Sequence, residues 1–388
     1  MKYDFDRMID RKGTGSVKWD FAGDAIPMWV ADMDFETFPG VKKVITERAA
    51  LGIYGYTHDT QGWQDAYVNW WKTRHSFEFE GDCLVFVTAV IPAISSAVRK
   101  LTTPGENVVI QTPVYPVFYN SILNNGRVVL ENKLTYDRDA GVFGIDWEDL
   151  EKKLKDPQTT MMILCNPQNP TGNIWDRETL KRIGELCAEN HVRVVSDEIH
   201  CDITAPGKEY IPFASVSEIN AQNSVMCVAP TKTFNIAGIQ TAAVIALNPD
   251  LRYKMWRGIN TDEVGEGNFF AYAAAEAAFS KEGGEWLDEL REYLWANRRF
   301  AENYITENIS ALKPIRSDAS YLMWVDCGDI TSDTKEFCDR LKKNEKVMFS
   351  YGEEFGGDGG KFIRINLACP RTMLGQALER LRKGCSEY

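Results

Sequence analysis

No stretch of the 388 residues approaches the roughly 20 consecutive apolar positions that a membrane-crossing helix requires. The opening segment, Met1 to Asp20, alternates charged and aromatic residues and lacks the apolar core of a secretory signal. There is no internal repeat and no low-complexity tract, so solenoid and disordered architectures are excluded. No Gly-x-Gly-x-x-Gly follows a strand-like run, which argues against a dinucleotide-dependent oxidoreductase. Positive charge is in deficit: 44 Lys and Arg stand against 56 Asp and Glu, a net charge of -12. Such a chain repels nucleic acid and anionic lipid, and no local basic patch offsets it. These absences predict a soluble, cytoplasmic protein with neither nucleic acid nor membrane as partner.

What is present is an ordinary globular composition, with 44% hydrophobic, 12% aromatic and 26% charged residues. The length exceeds that of a single core, so two domains are expected. Nine cysteines are scattered, mostly within apolar runs, without zinc-ligand spacing. They read as reduced core thiols, and no metal site is predicted.

From about residue 80 to 250, strand-like runs alternate with helical ones, the pattern of a largely parallel sheet covered on both faces. The strand candidates are Cys83–Val87, Asn107–Gln111, Arg127–Glu131, Met161–Cys165, Val192–Ser196, Ser224–Ala229 and Ala242–Leu247. Helical patterns over Ile91–Leu101, Trp147–Leu154 and Arg177–Glu189 supply crossovers, the last with Asp176 as its N-cap. A long helix from about Gly284 to Ile309 leads into strands near Tyr321–Asp326, Val347–Ser350 and Phe362–Asn366 and a helix near Thr372–Lys383. The fold class predicted is α/β: a large domain over 46–284 with a mostly parallel seven-stranded sheet, and a smaller α+β domain from 1–45 and 285–388. The glycine-dense Phe355–Gly360 is a flexible loop or tight turn.

In sheets of this kind, ligands bind beyond the carboxyl ends of the strands. Three features fall there. Lys232 lies in Ala229-Pro230-Thr231-Lys232-Thr233-Phe234-Asn235-Ile236-Ala237-Gly238, just past a strand; alone it would be a solvated loop residue. Asp197 ends the apolar strand before it, and a buried carboxylate there needs a cationic partner, either a side chain in a salt bridge or a protonated heterocycle. Asn166-Pro167-Gln168-Asn169-Pro170-Thr171-Gly172 follows another strand and alone is only a turn.

In this order and spacing the three motifs resemble the fold type I pyridoxal phosphate enzymes, the aspartate aminotransferase superfamily. The resemblance is closest to the MalY/PatB cystathionine β-lyase group. It rests on Pro27-Met28-Trp29-Val30-Ala31-Asp32-Met33-Asp34-Phe35, on Ser196-Asp197-Glu198-Ile199-His200-Cys201-Asp202, on Thr231–Gly238, on Leu101–Glu106 and on Ile363-Arg364-Ile365-Asn366, and so covers nearly the whole chain.

The resemblance implies pyridoxal 5'-phosphate as cofactor and assigns roles by position. Lys232 would bind the cofactor covalently, Asp197 would hold its pyridine nitrogen protonated, Asn169 would donate to its phenolate oxygen, and Tyr115 would stack on the ring. Lys232, Tyr115 and Asp197 form the expected catalytic set. The phosphate would sit at a helix N-terminus on the backbone amides of Ala89, Val90 and Ile91, with Thr231. Arg364 would clamp the substrate carboxylate, with Asn169 and Ala31 beside the substrate. Tyr56 would reach the cofactor phosphate of a neighbouring subunit, which implies a homodimer.

Two positions depart from the aminotransferase pattern. Gln240 stands where a phosphate-binding arginine is usual, which leaves more to the backbone amides and Thr231. His200 stands where a tyrosine is usual; it is placed among the cofactor contacts, with a catalytic acid and a structural partner both open. His58, His75 and His191 read as structural or exposed.

The implied activity is β-elimination at a carbon–sulfur bond of an L-cysteine-derived thioether, giving thiol, pyruvate and ammonia. The alternative is transamination, which the same residues could serve. A non-catalytic regulator is disfavoured because Lys232, Asp197, Asn169 and Arg364 are all intact.

Overall fold

Seven short apolar runs of the chain's first two thirds pair into one sheet. In the computed structural model, which describes residues 2–386, these are β1 (Leu84–Val87), β2 (Asn107–Thr112), β3 (Val128–Lys133), β4 (Thr159–Cys165), β5 (Arg193–Asp197), β6 (Ser224–Val228) and β7 (Ala242–Ile245). Their spatial order is β1-β7-β6-β5-β4-β2-β3. Strands β2 to β6 are mutually parallel, whereas β7 runs antiparallel to both β1 and β6. The mostly parallel seven-stranded sheet expected from the alternating pattern is therefore present. Residues of β1, β6 and β7 are buried on both faces, which explains why they read as continuous apolar runs and not as alternating ones.

Helices cover this sheet. Aromatic residues of α1 (Gln61–His75), among them Trp63, Tyr67, Trp70 and Trp71, build one large core cluster. Helix α2 (Val90–Leu101) builds a second cluster with the strands. Helices α3 (Trp147–Leu154) and α4 (Arg177–Glu189) are capped by Asp146 and Asp176, whose carboxylates accept the amides of Asp149 and Thr179. Helix α2 differs: it follows Ala89, which offers no capping side chain, so its first backbone amides are left for another acceptor.

The C-terminal part of the chain forms a second, four-stranded sheet. Its strands β8 (Lys313–Pro314), β9 (Leu322–Asp326), β10 (Ser350–Tyr351) and β11 (Phe362–Asn366) pair antiparallel in the order β8-β9-β11-β10. The long α5 (Lys281–Asn308) and α6 (Arg371–Cys385) pack on it through Ala301, Ile305, Met373 and Leu378. The single strand expected over Val347–Ser350 is divided. Val347–Met348 pairs parallel with Ile26–Pro27, Phe349 is buried, and Ser350 opens β10 opposite Arg364. Each half thus has a different partner, and the early segment of the chain joins the late one.

The glycine-dense segment is a tight turn. A Cβ on Gly352 would lie 2.0 Å from the Gly359 carbonyl oxygen, and Gly356 and Gly357 both have positive φ. All nine cysteines are free thiols, eight of them buried and Cys385 half-buried. Among the described residues no helix is long and apolar enough to cross a membrane.

Candidate active site

The adjacent parallel strands β5 and β6 deliver the two central groups to one edge of the sheet. Asp197 is the last residue of β5, in register with Cys227 of β6. Its side chain is buried, and Oδ1 accepts the backbone N–H of Ile199 at 3.1 Å. Burial pushes this carboxyl up to about 7, against the pull of the Ile199 amide and the Lys232 charge. Among the described residues no cation forms an ion pair with it, so this is a desolvated carboxylate still in need of a positive partner.

Lys232 lies just beyond β6 and is half-buried. Its Nζ donates to the Ala31 carbonyl oxygen at 2.8 Å. Burial first, and then the Arg364 charge, lower this ammonium to about 8, while Asp32 and Asp197 act in the opposite direction. The amine is consequently much closer to neutrality near pH 7 than a lysine in water, as a nucleophile or base requires.

The turn after β4 is fixed from within. Gln168 Nε2 donates to the carbonyls of Gln111 and Pro113, and the Asn166–Pro167 and Asn169–Pro170 bonds are both cis. Asn169 Oδ1 accepts from Arg364 at 3.1 Å. A guanidinium cannot accept a hydrogen bond, so this contact turns the carboxamide oxygen toward Arg364 and leaves the Asn169 amide nitrogen as a free donor. Arg364, in β11, is buried and also donates to Trp29 O at 2.9 Å and Ser350 Oγ at 3.3 Å. Its Nε has no partner among the described residues. A buried arginine held on carbonyls, with one N–H unspent, is poised for an anion.

Tyr115 and Ile91 pack against the same core cluster as the start of α2. Burial raises the Tyr115 phenol, and both Asp197 and Arg364 act on it. Ala89, Val90 and Ile91 open α2 with the unspent amides described above. Thr231 is buried beside Lys232. His200 is buried with its Nδ1 unpartnered; burial, then the charges of Lys232 and Arg364, depress it to about 3, so it is a neutral imidazole. The structure thus brings Lys232, Asp197, Asn169, Arg364, His200, Tyr115 and Ala31 into one neighbourhood. Tyr56 lies apart, fully exposed, beside a surface cavity lined by His58, Asp59, Glu266 and Tyr272. Gln240 is exposed in a left-handed backbone conformation with φ 56°.

Sequence reasoning missed what fastens the Trp29–Phe35 segment across the site. Asn235, at φ 55°, donates to the Met33 and Phe35 carbonyls and accepts the Met33 amide. Asn366 donates to the carbonyls of Val30 and Asp32. Buried Lys18 pairs with Asp34 at 2.7 Å, and Arg11 makes a two-pronged contact with Asp32 at 2.9 and 3.0 Å. Both Asn235 and Asn366 stand within the motifs quoted above. Their polarity beside apolar neighbours is a signal of hydrogen bonding, but it does not name the partner.

Comparison with known proteins agrees with this geometry. The model of the family "Aminotransferase class I and II" matches residues 24–381. The cystathionine β-lyase PatB of Bacillus subtilis is 43% identical over 98% of this chain and 100% of its own length. A pyridoxal-phosphate-bound C-S lyase from Staphylococcus hominis, solved with L-cycloserine, superposes with a TM-score of 0.92 at 31% identity over 99% of both chains. A pyridoxal-phosphate-bound aminotransferase, so described without established activity, from Clostridium difficile 630 superposes at 0.94 with 37% identity over 99% of this chain and 100% of its own. With a match that runs through both sheets and includes every motif residue of the site, this chain belongs to the aminotransferase class I and II family.

Proposed function

We infer that this chain is a pyridoxal-phosphate-dependent carbon–sulfur β-lyase that converts an L-cysteine-derived thioether and water to a thiol, pyruvate and ammonia. The observation that carries the reading is the buried Asp197 carboxylate, without an ion-pair partner among the described residues, beside a lysine lowered to about 8. A pyridinium nitrogen is the cation that this carboxylate lacks, and the uncapped start of α2 suits a phosphate. The residues present therefore fit the cofactor. Once bound, it supplies an electron sink for negative charge developing on the substrate's Cα.

The chain's own residues supply the rest. Asp197 would hold positive charge at the ring nitrogen, the Asn169 amide would donate to the phenolate oxygen, and Tyr115 would pack against the ring. Ala89, Val90, Ile91 and Thr231 carry the phosphate. Arg364 binds the substrate carboxylate, exchanging its carbonyl partners for a charged one, with Asn169 and Ala31 close by. Lys232 Nζ, released from Ala31 O, takes the proton from Cα. With a thioether sulfur on Cβ, the electron pair left at Cα would form the Cα–Cβ double bond as the Cβ–S bond breaks, the sulfur leaving as a thiolate that takes a proton to become the thiol; hydrolysis of the remaining fragment gives pyruvate and ammonia.

The large cofactor-binding unit would span 46–284 and the smaller one 1–45 with 285–388. The protein would work as a cytoplasmic homodimer in which Tyr56 completes the neighbouring phosphate site. Support for the dimer is the exposure of Leu51, Ile53, Tyr54 and Tyr56 along one segment. Transamination is the second reading, favoured by the similarity to the Clostridium difficile protein. Incubation with L-cystathionine alone separates the two: pyruvate and thiol released without an added 2-oxo acid supports the lyase, and turnover only with 2-oxoglutarate refutes it.

A further inference from the structure

Just below the site, a second carboxylate links the turn after Asp197 to the residue after Lys232. Asp202 lies on the turn that leaves β5, and its side chain is only 1% exposed. Oδ1 accepts the Trp70 indole N–H at 2.8 Å and lies 2.9 Å from His75 Nε2; Oδ2 accepts the Thr233 hydroxyl at 3.0 Å. Trp70 and His75 both belong to α1. Trp70 also packs edge-on against Phe234, with ring centroids 5.9 Å apart. Three elements therefore meet at one carboxylate: α1, the Asp197 turn and the Lys232 loop.

A buried carboxylate costs several kcal/mol unless its oxygens are satisfied. Here they are, and burial, which would raise the group, is more than offset by His75, Trp70 and the Arg74 charge, so Asp202 stays ionised. The Cys201 thiol lies near enough that His75, Cys201 and Asp202 could share a metal ion. However, both Asp202 oxygens and His75 Nε2 are already spent on one another and on Trp70 and Thr233. The geometry is that of a clasp.

A clasp at this place has a specific mechanical effect. On the reading above Asp197 and Lys232 would hold the same cofactor, and each is followed within a few residues by one side of the Asp202–Thr233 contact. The backbone bonds Phe234 N to Pro230 O and Ile236 N to Thr231 O tie the Lys232 loop to itself and not to the Asp197 turn. We propose that Asp202, braced by His75 and Trp70, is a positioning residue that sets the separation of Asp197 and Lys232 by holding the Thr233 hydroxyl. Its consequence for catalysis rests on the β-lyase reading above.

The test compares holoenzymes of Thr233→Val, Thr233→Ser and Asp202→Asn with the wild type, reading kcat and KM for L-cystathionine and the pH midpoint of the bound cofactor's visible absorbance. Thr233→Val, which keeps shape and removes the hydroxyl, lowers kcat by about tenfold or more with KM changed by less than about twofold. It also moves the absorbance midpoint, because the placement of Lys232 relative to Asp197 sets the electrostatic surroundings of the nitrogen through which the lysine would hold the cofactor. Thr233→Ser restores both quantities, and Asp202→Asn follows Thr233→Val. A Thr233→Val enzyme with wild-type kcat and midpoint overturns the proposal, even where Asp202→Asn lowers the melting temperature. If the wild type binds pyridoxal phosphate but releases no pyruvate, the lyase reading falls, and the midpoints of the valine and serine variants still decide the clasp.

Discussion

Lys232 Nζ and the Ala31 carbonyl oxygen meet at 2.8 Å across 201 residues of sequence. The reactive amine is thereby parked on the strap that covers it, and a ligand that engages the amine must take it from that carbonyl. The same strap holds Arg364 through Trp29 O. The two groups that would handle the substrate's α-carbon and its carboxylate are therefore held by carbonyls two residues apart in one segment.

Lys232→Ala removes the amine and leaves the surrounding packing. The visible absorbance that pyridoxal phosphate gains on attachment is expected to disappear, and turnover of L-cystathionine to fall on the order of 10³-fold or more. Far-ultraviolet circular dichroism should be unchanged. Retention of both absorbance and turnover would falsify the assignment.

Arg364→Lys keeps the charge but loses the planar fork that reaches Asn169, Trp29 and Ser350 together. KM for L-cystathionine is expected to rise by about 10- to 100-fold, with a smaller effect on kcat. Steady-state kinetics of pyruvate release measure this, and an unchanged KM places the carboxylate elsewhere.

Asn235→Ala removes three hydrogen bonds to Met33 and Phe35 and puts alanine at φ 55°. A loss of about 2–4 kcal/mol is expected, together with faster protease cleavage within Trp29–Phe35. Urea denaturation and timed digestion report the two effects separately.

Protonation of Asp197 should be visible in the cofactor-free chain. Its folded value of about 7 lies above the ordinary value of 3.8, so the folded state holds the extra proton between these limits. The group's contribution is fully present below about 3.8 and is lost as pH rises toward 7, a change on the order of a few kcal/mol. Asp197→Asn removes this dependence. Urea midpoints of the two chains from pH 4 to 7 should therefore diverge, the wild type losing ground as pH rises.

Much of this was legible because strand ends carry their own punctuation. Asp197 ends a largely apolar strand and Lys232 follows one by a short Pro-Thr step, and a charged residue there is conspicuous; Asp146 and Asp176 mark helix starts in the same local way. The antiparallel sense of β7 was not legible, because Ala242–Ile245 is apolar whichever way it runs. Nor was the division at Phe349, since Val347–Ser350 is buried or half-buried throughout and only the partners differ. The seven motif positions near Lys232 could be gathered by resemblance, but the fastening of Met33 by Asn235 and the meeting of Asp202 with Thr233 join distant parts of the chain. No local period encodes such contacts, and they emerge only when the sheets are assembled.

The bonds from Asn366 to Val30 and Asp32 span up to 336 residues. During synthesis the strap emerges among the first segments and its anchor among the last. A growing chain can therefore assemble its seven-stranded sheet, with Asn235, Lys18 and Arg11 already available to Trp29–Phe35, before the Asn366 part of the fastening exists. The segment beside the amine is therefore completed by a late-made strand, a contact of long sequence separation that closes after the local ones.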